Sequence, residues 1–145
     1  MITTKIFIKP HLAEYVTGKY NENGYIRFPK KSDVYHVIFD LTERRPVICR
    51  PDEGNIEIIL PDRREGKSPV TYNYLSRRSQ KIIERRIQNI FWAELHDYVI
   101  EEKHRYGTTY IESIARFAKR YSIESISEEG IKKNCYRWIS WMKKR

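Results

Sequence analysis

The sequence is poor in the residues that build reactive centres and covalent frameworks. It holds two cysteines, Cys49 and Cys135, in no CxxC pair, which argues against a disulfide framework and for a reducing cytoplasm. Its six glycines are scattered singly, so no glycine-rich loop is present to cradle a phosphate. The histidines, His11, His36, His96 and His104, show no metal-ligand spacing. Glu101 and His104 form one E-x-x-H, whereas a di-metal bundle site needs that motif twice, with further glutamates. In the acidic stretch PDEGNIEII, Ile59 stands where a nuclease would need a lysine. No apolar run approaches the roughly 18 residues of a membrane span, and MITTKIFIKP lacks the apolar segment of a signal peptide. No catalytic residue, metal ligand or cofactor is therefore expected, and the chain reads as a binding protein rather than an enzyme.

Positive charge is abundant and unevenly placed. The 145 residues are 40% hydrophobic and 32% charged, a globular mix of ordinary domain size, with a net charge of +9. Residues 105–145 alone carry ten Lys/Arg against four Asp/Glu, which is +6 of that total. A patch so concentrated attracts polyanions and speeds their encounter.

The first part of the chain alternates short elements. TKIFIKP has strand residues at Ile6, Phe7 and Ile8, and Pro10 then starts a short helix closed by Gly18. Asn23-Gly24 signals a turn into the strand YIRF, stopped by Pro29. In SDVYHVIFDL the apolar residues Val34, Val37, Ile38 and Leu41 favour a helix behind a Ser32 cap, although the β-branched content also suits a strand. Prolines and glycines punctuate 46–69 around one clear strand, NIEIIL, whose Ile56, Ile58 and Leu60 share a face. DRREGKSP is a polar linker, and it divides the chain into a small mixed α/β part (1–69) and a helical part (70–145).

From Ser76 onward the periodicity is helical. Ser76 or Ser79 caps a long helix to about Lys103, with Ile83, Ile87, Ile90, Phe91 and Tyr98 on its stripe and Ile82, Trp92, Leu95 and Val99 widening it. After Gly107, Thr109 and Glu112 make a capping box for a helix over about 110–121. The last helix, roughly 127–143, starts either from a Ser125/Glu128 box or from Ser127. Ile131, Cys135, Trp138 and Met142 form its apolar stripe, while Lys132, Lys133, Tyr136, Arg137, Lys143 and Lys144 lie on the opposite arc. Cys135 on that stripe reads as a buried structural thiol. A second basic cluster, Arg77, Arg78, Lys81 and Arg85, opens the long helix, and Arg78, Lys81 and Arg85 share one face. Cations in such a row can contact successive phosphates without reading sequence. Tyr72, Tyr74 and Trp92 nearby could stack on bases, but core packing explains them better.

The last two helices and their connector SIESIS resemble helix-turn-helix DNA-binding proteins, particularly small regulators of phages and mobile elements. The resemblance covers about 35 residues and lacks the family's tight glycine-containing turn. It implies that helix 110–121 supports and helix 127–143 lies in the major groove. The contact zone would then fall on Ser127, Glu128, Lys132, Lys133 and Tyr136. The expected partner is nucleic acid, duplex DNA above RNA or single strands, with a homodimer compatible because palindromic sites mirror two-fold symmetry. Two other readings stay open. The pair could be a helical hairpin that completes the core with a solvated basic face. The chain could also be a protein-interaction or assembly module using Trp138 and Trp141. For the fold the expectation is α+β: a small strand-containing N-terminal part followed by a three-helix bundle. A far-ultraviolet circular dichroism spectrum should be dominated by helix, and more sheet than helix would overturn that assignment.

Overall fold

The computed structural model describes residues 1–63 and 65–144. It is α+β, with every strand of the described residues preceding the long helix that starts at Arg77 and three helices filling the rest. β1 (Thr3–Ile6) pairs antiparallel with β5 (Ile56–Ile59), in a register that sets Thr3 opposite Ile59 and Ile6 opposite Ile56. β3 (Tyr25–Ile26) runs parallel to β5 and pairs with β2 (Asn21–Glu22), giving the order β1-β5-β3-β2. The turn between β2 and β3 has Asn23 at φ 55° and Gly24 at φ 90°, the paired positive values of a tight two-residue hairpin. A separate two-stranded ladder joins β4 (Glu43–Arg44) to β6 (Tyr72–Tyr74).

The first strand is shorter than the apolar run Ile6–Ile8 implies. Beyond Ile6 its hydrogen bonds pass to side chains: the Phe7 N–H donates to Gln80 Oε1 at 3.2 Å. The Ile8 N–H donates to Asn55 Oδ1 (3.0 Å) while Asn55 Nδ2 donates to the Ile8 carbonyl (2.7 Å). An asparagine amide thus stands in for a neighbouring strand, and Ile8 stays buried. The strand expected over YIRF likewise ends at Ile26, though the Arg27 N–H still donates to the Tyr20 carbonyl at 3.1 Å. Ile56, Ile58 and Leu60 all face the core as their alternation requires.

α1 (Pro10–Tyr20) begins at its proline but runs through Gly18 instead of ending there. Gly18 serves packing: a Cβ at that position would lie 3.2 Å from the Cα of Tyr121. α2 (Asp33–Leu41) is capped by Ser32, whose Oγ accepts from the Tyr35 N–H at 3.3 Å. α3 (Arg77–Tyr106) is capped by Ser76 and ends on Gly107 at φ 65°, whose N–H reaches back to the Lys103 carbonyl at 3.1 Å. α4 (Tyr110–Arg120) is capped by Thr109 and α5 (Glu128–Lys143) by Ser127. Between them Ser122 takes a positive φ of 51°.

Ile83, Ile87, Phe91, Leu95 and Val99 form a fully buried line along α3. Ile90, Trp92 and Tyr98 are partly buried beside it, whereas Ile82 turns toward solvent. α1, α2 and α4 all pack on α3, and one continuous apolar core runs from Ile6 to Cys135. At its centre Tyr15 of α1 meets Phe91 edge-on (5.2 Å), Tyr121 edge-on (5.0 Å) and Phe117 (6.3 Å). The connector after α4 is held from the far end of the sequence. The Ser125 N–H donates to Glu14 Oε1 at 2.9 Å, and the Glu124 N–H lies 3.2 Å from both Glu14 oxygens.

Gly54 sits where β1 and the start of β5 crowd most closely. A Cβ there would lie 2.2 Å from the Ile6 carbonyl oxygen and 2.4 Å from the Ile6 nitrogen, so backbone rather than a pliable side chain must give way. Gly54→Ala should therefore destabilise the protein by on the order of 1–3 kcal/mol, read from urea unfolding midpoints. An unchanged midpoint would mean that this approach relaxes freely.

Candidate nucleic-acid interface

α5 starts at Ser127 because its Oγ accepts from the Gly130 N–H at 3.0 Å, whereas the Ser125 backbone is already engaged by Glu14. Glu128 and Glu129 then occupy the first turn, where negative charge suits the helix dipole. Ile131 and Cys135 are fully buried. Burial pushes the Cys135 thiol up to about 11, so it stays protonated at neutral pH. The apolar stripe fades after that. Trp138 is half-buried, and Met142, expected in the core, is 47% exposed and is not among the residues packed against it.

Trp138 is held by a stack absent from the sequence-based expectations. Its ring lies 4.2 Å from that of His96 on α3, only 10° from parallel, and the Trp92 ring lies 6.0 Å from His96, 29° from parallel. His96 Nε2 and Asn134 Oδ1 are 3.0 Å apart, a geometry in which the ring N–H donates to the amide oxygen. The spacing that could have revealed it is Trp92–His96 and Asn134–Trp138, each one turn apart. Burial holds the His96 pKa below its ordinary value, against the opposing influence of Asn134.

The outward side of α5 carries a shallow groove lined by Lys133, Tyr136, Arg137, Ser140, Trp141 and Lys144. Lys143 lies around the helix from it, with Tyr110, Tyr136 and Ile139. Lys132 is half-buried beside Ile111, Ile114, Glu128 and Glu129, its ammonium 5.6 Å from the Tyr136 ring centre. The six expected contacts thus fall into an outward group of four and two flanking lysines. Among the described residues, no carboxylate pairs with Lys132, Lys133, Arg137, Lys143 or Lys144.

Arg77, Arg78, Lys81 and Arg85 are exposed along the first turns of α3. Lys81 lies 4.0 Å from Glu84, whose other oxygen accepts from the Lys9 N–H at 2.9 Å. The neighbouring Arg86 is tied to Asp33 at 2.7 Å and stands apart. Arg78 and Arg85 precede His96 by about five and three helical turns, so they share the face of α3 on which α5 docks, roughly 27 and 16 Å back along the axis. Arg78 and Arg85 therefore lie on the side of the long helix where α5 docks. Tyr72, Tyr74 and Trp92 are all partly covered: the tyrosine rings lie 5.4 Å from Arg44 and 5.8 Å from Arg45, and Trp92 packs on Phe91 at 4.9 Å. Among the described residues no three His, Cys, Asp or Glu side chains gather as metal ligands would. No family model matches the chain, and neither a curated protein nor a solved structure is significantly similar to it.

Because His96 has a folded-state pKa below 6.5, the unfolded chain takes up its proton first. His11, lowered by burial and then by Lys9, acts in the same direction. The histidine contribution to stability should be complete above about pH 7.5 and fall as the pH drops through 6.5 toward the folded-state values. His96→Phe keeps a ring in contact with both tryptophans and should flatten part of that decline between about pH 7 and 5 in thermal melts. An identical decline would remove His96 from the account.

Proposed function

We propose that this chain is a DNA-binding protein, a transcriptional regulator or accessory factor of a phage or mobile element, working in the cytoplasm without catalysis. It contacts the phosphates of duplex DNA through the outward face of α5. The observation that carries this is the set Lys133, Arg137 and Lys144, lining one groove with no carboxylate to neutralise them among the described residues. A basic face that merely kept the chain soluble would gain from interspersed acids. Here the acids of the helix are confined to its first turn. The helix-turn-helix resemblance supports the same assignment: α4 crosses the backbone and α5 enters the major groove, with Arg78, Lys81 and Arg85 as further phosphate contacts.

A second reading has its own support. Trp141 is 53% exposed, Met142 47% and Tyr136 41%, and exposed aromatics beside arginine are the composition of a protein interface. The two readings separate on salt and on mass. Neutralising about five phosphates gives log K against log salt a slope of roughly −4 to −5 for DNA. Lys133, Arg137 and Lys144 replaced together by glutamine should lessen that slope by about 3 while leaving the melting temperature in place. An unchanged slope and affinity in a natively folded variant would refute the contact. A stable oligomer in light scattering that ignores duplex DNA would favour the interaction module.

A further inference from the structure

The segment between β4 and β5 combines rigidity with exposure in a way that neither the core nor α5 requires. Its neck is closed by Arg45, whose Nη1 and Nη2 donate to Asp52 Oδ1 and Oδ2 at 2.9 and 2.8 Å. The same guanidinium donates to the Asn73 side-chain oxygen and to the Asn73 carbonyl, each at 3.1 Å. Asp52 also accepts from Thr4 Oγ1 at 2.8 Å. Beyond this clamp, Pro46 and Pro51 bracket a tip on which Val47 is 104% and Ile48 96% exposed, more than any other large apolar side chain among the described residues. Arg44 stands on the entering limb and Arg50 on the leaving one, both exposed. Asn73, which holds the clamp, is four residues before Arg77, so the tip projects at the end of α3 that carries Arg77, Arg78 and Lys81.

We propose that residues 46–51 form a wedge that enters the minor groove of duplex DNA, with Val47 and Ile48 prying a base step apart while Arg44 and Arg50 take phosphates on either side. The inference rests on the reading of α5 as a duplex contact. The chemistry selects this occupant over a bilayer. Membrane-surface binding uses a broad apolar face, whereas this tip offers two side chains held between arginines. A minor groove is about 6 Å wide, which admits a two-residue tip, and apolar side chains flanked by cations are the means by which proteins unstack and kink a duplex there. The position fits as well. Beyond the tip, the Arg78–Arg85 row leads along α3 toward His96, about 27 Å of helix from Arg78, where α5 docks, and a duplex bent at the wedge can follow that row.

The test uses the full chain and a mixed-sequence duplex of about 30 base pairs carrying a donor and an acceptor dye at its ends. Wild-type protein should raise energy transfer by an amount matching a bend between about 20 and 90°. Val47→Ser with Ile48→Ser should abolish the bend, lower affinity less than about tenfold, and keep the wild-type salt slope. Both side chains are solvent-exposed, so the urea midpoint should not move and folding is not at issue. Binding without bending by the wild type, or a bend that survives in the double variant, overturns the wedge but leaves α5 as a contact. No binding of duplex by the wild type overturns both. Wild-type binding to phosphatidylserine vesicles that the double variant loses, with no bend in DNA, assigns the tip to a bilayer and likewise overturns the wedge.

Discussion

The helical core is centred on four aromatic rings, Tyr15, Phe91, Phe117 and Tyr121, which meet edge-on in every contact except the near-parallel Tyr15–Phe117 pair. Phe91 and Phe117 lie 5.7 Å apart, Phe117 and Tyr121 5.1 Å, and Tyr15 touches all the others. Rings set edge to face attract through their quadrupoles beyond the area they bury, and the geometry is directional, so it fixes angles between helices as well as distances. α1, α3 and α4 are each represented in the cluster, or by the residue that ends them. Burial, reinforced by the Glu94 carboxylate alongside, lifts the Tyr121 hydroxyl to about 12 and raises that of Tyr15 as well. Both phenols therefore remain neutral members of an apolar centre. Lys19 closes the site from outside through its ion pair with Glu94.

α5 stands outside that cluster. It is fastened by two deeply buried residues, Ile131 and Cys135, and by the layered rings of Trp92, His96 and Trp138. Much of the rest of its circumference, including Lys133, Tyr136, Arg137, Ser140 and Trp141, is turned to solvent. The sparse attachment and the open charged face have one cause: a helix that buries only a narrow stripe has most of its surface left for something else. The opposite end of the molecule is built on the same plan with different materials. There the Arg45–Asp52 clamp, which draws the Asp52 carboxyl below its ordinary range, supports a short segment whose own side chains contribute little to the fold.

The elements of the fold were legible wherever local chemistry decides them. Ser32, Ser76, Thr109 and Ser127 cap the helices in which they stand, and the alternation of Ile56, Ile58 and Leu60 announces its strand. Legibility failed where a distant residue intervenes. Gly18 reads locally as a stop, yet the close approach of Tyr121 makes it a contact point. Ser125 reads as a cap until Glu14 claims its backbone. Met142 follows its stripe faithfully and still faces water, since periodicity tells which way a side chain points and not whether anything is there to meet it. Of the candidate site, the grouping of Lys133, Tyr136, Arg137 and Lys144 could be read from the helical wheel. The sharing of one α3 face by Arg78, Arg85 and the docked α5 needed the position of His96. The exposed pair Val47–Ile48 was hidden among prolines, because composition alone does not distinguish a buried loop from a presented one.

The carboxylate of Glu14 that receives the backbone of Glu124 and Ser125 spans 110 positions of sequence. Tyr15 beside it waits almost as long for Phe117 and Tyr121. During synthesis at about 5–20 residues per second, the first helix emerges roughly 5–20 s before the segments that will cover it. Throughout that interval Leu12, Tyr15 and Val16, all fully buried at the end, have no permanent partner on α4. The nascent chain must therefore be shielded or remain loosely collapsed until the last quarter appears. By the same logic the α4–α5 pair is no portable cassette: moved to another protein without the first twenty residues, its connector would lose the carboxylate that shapes it.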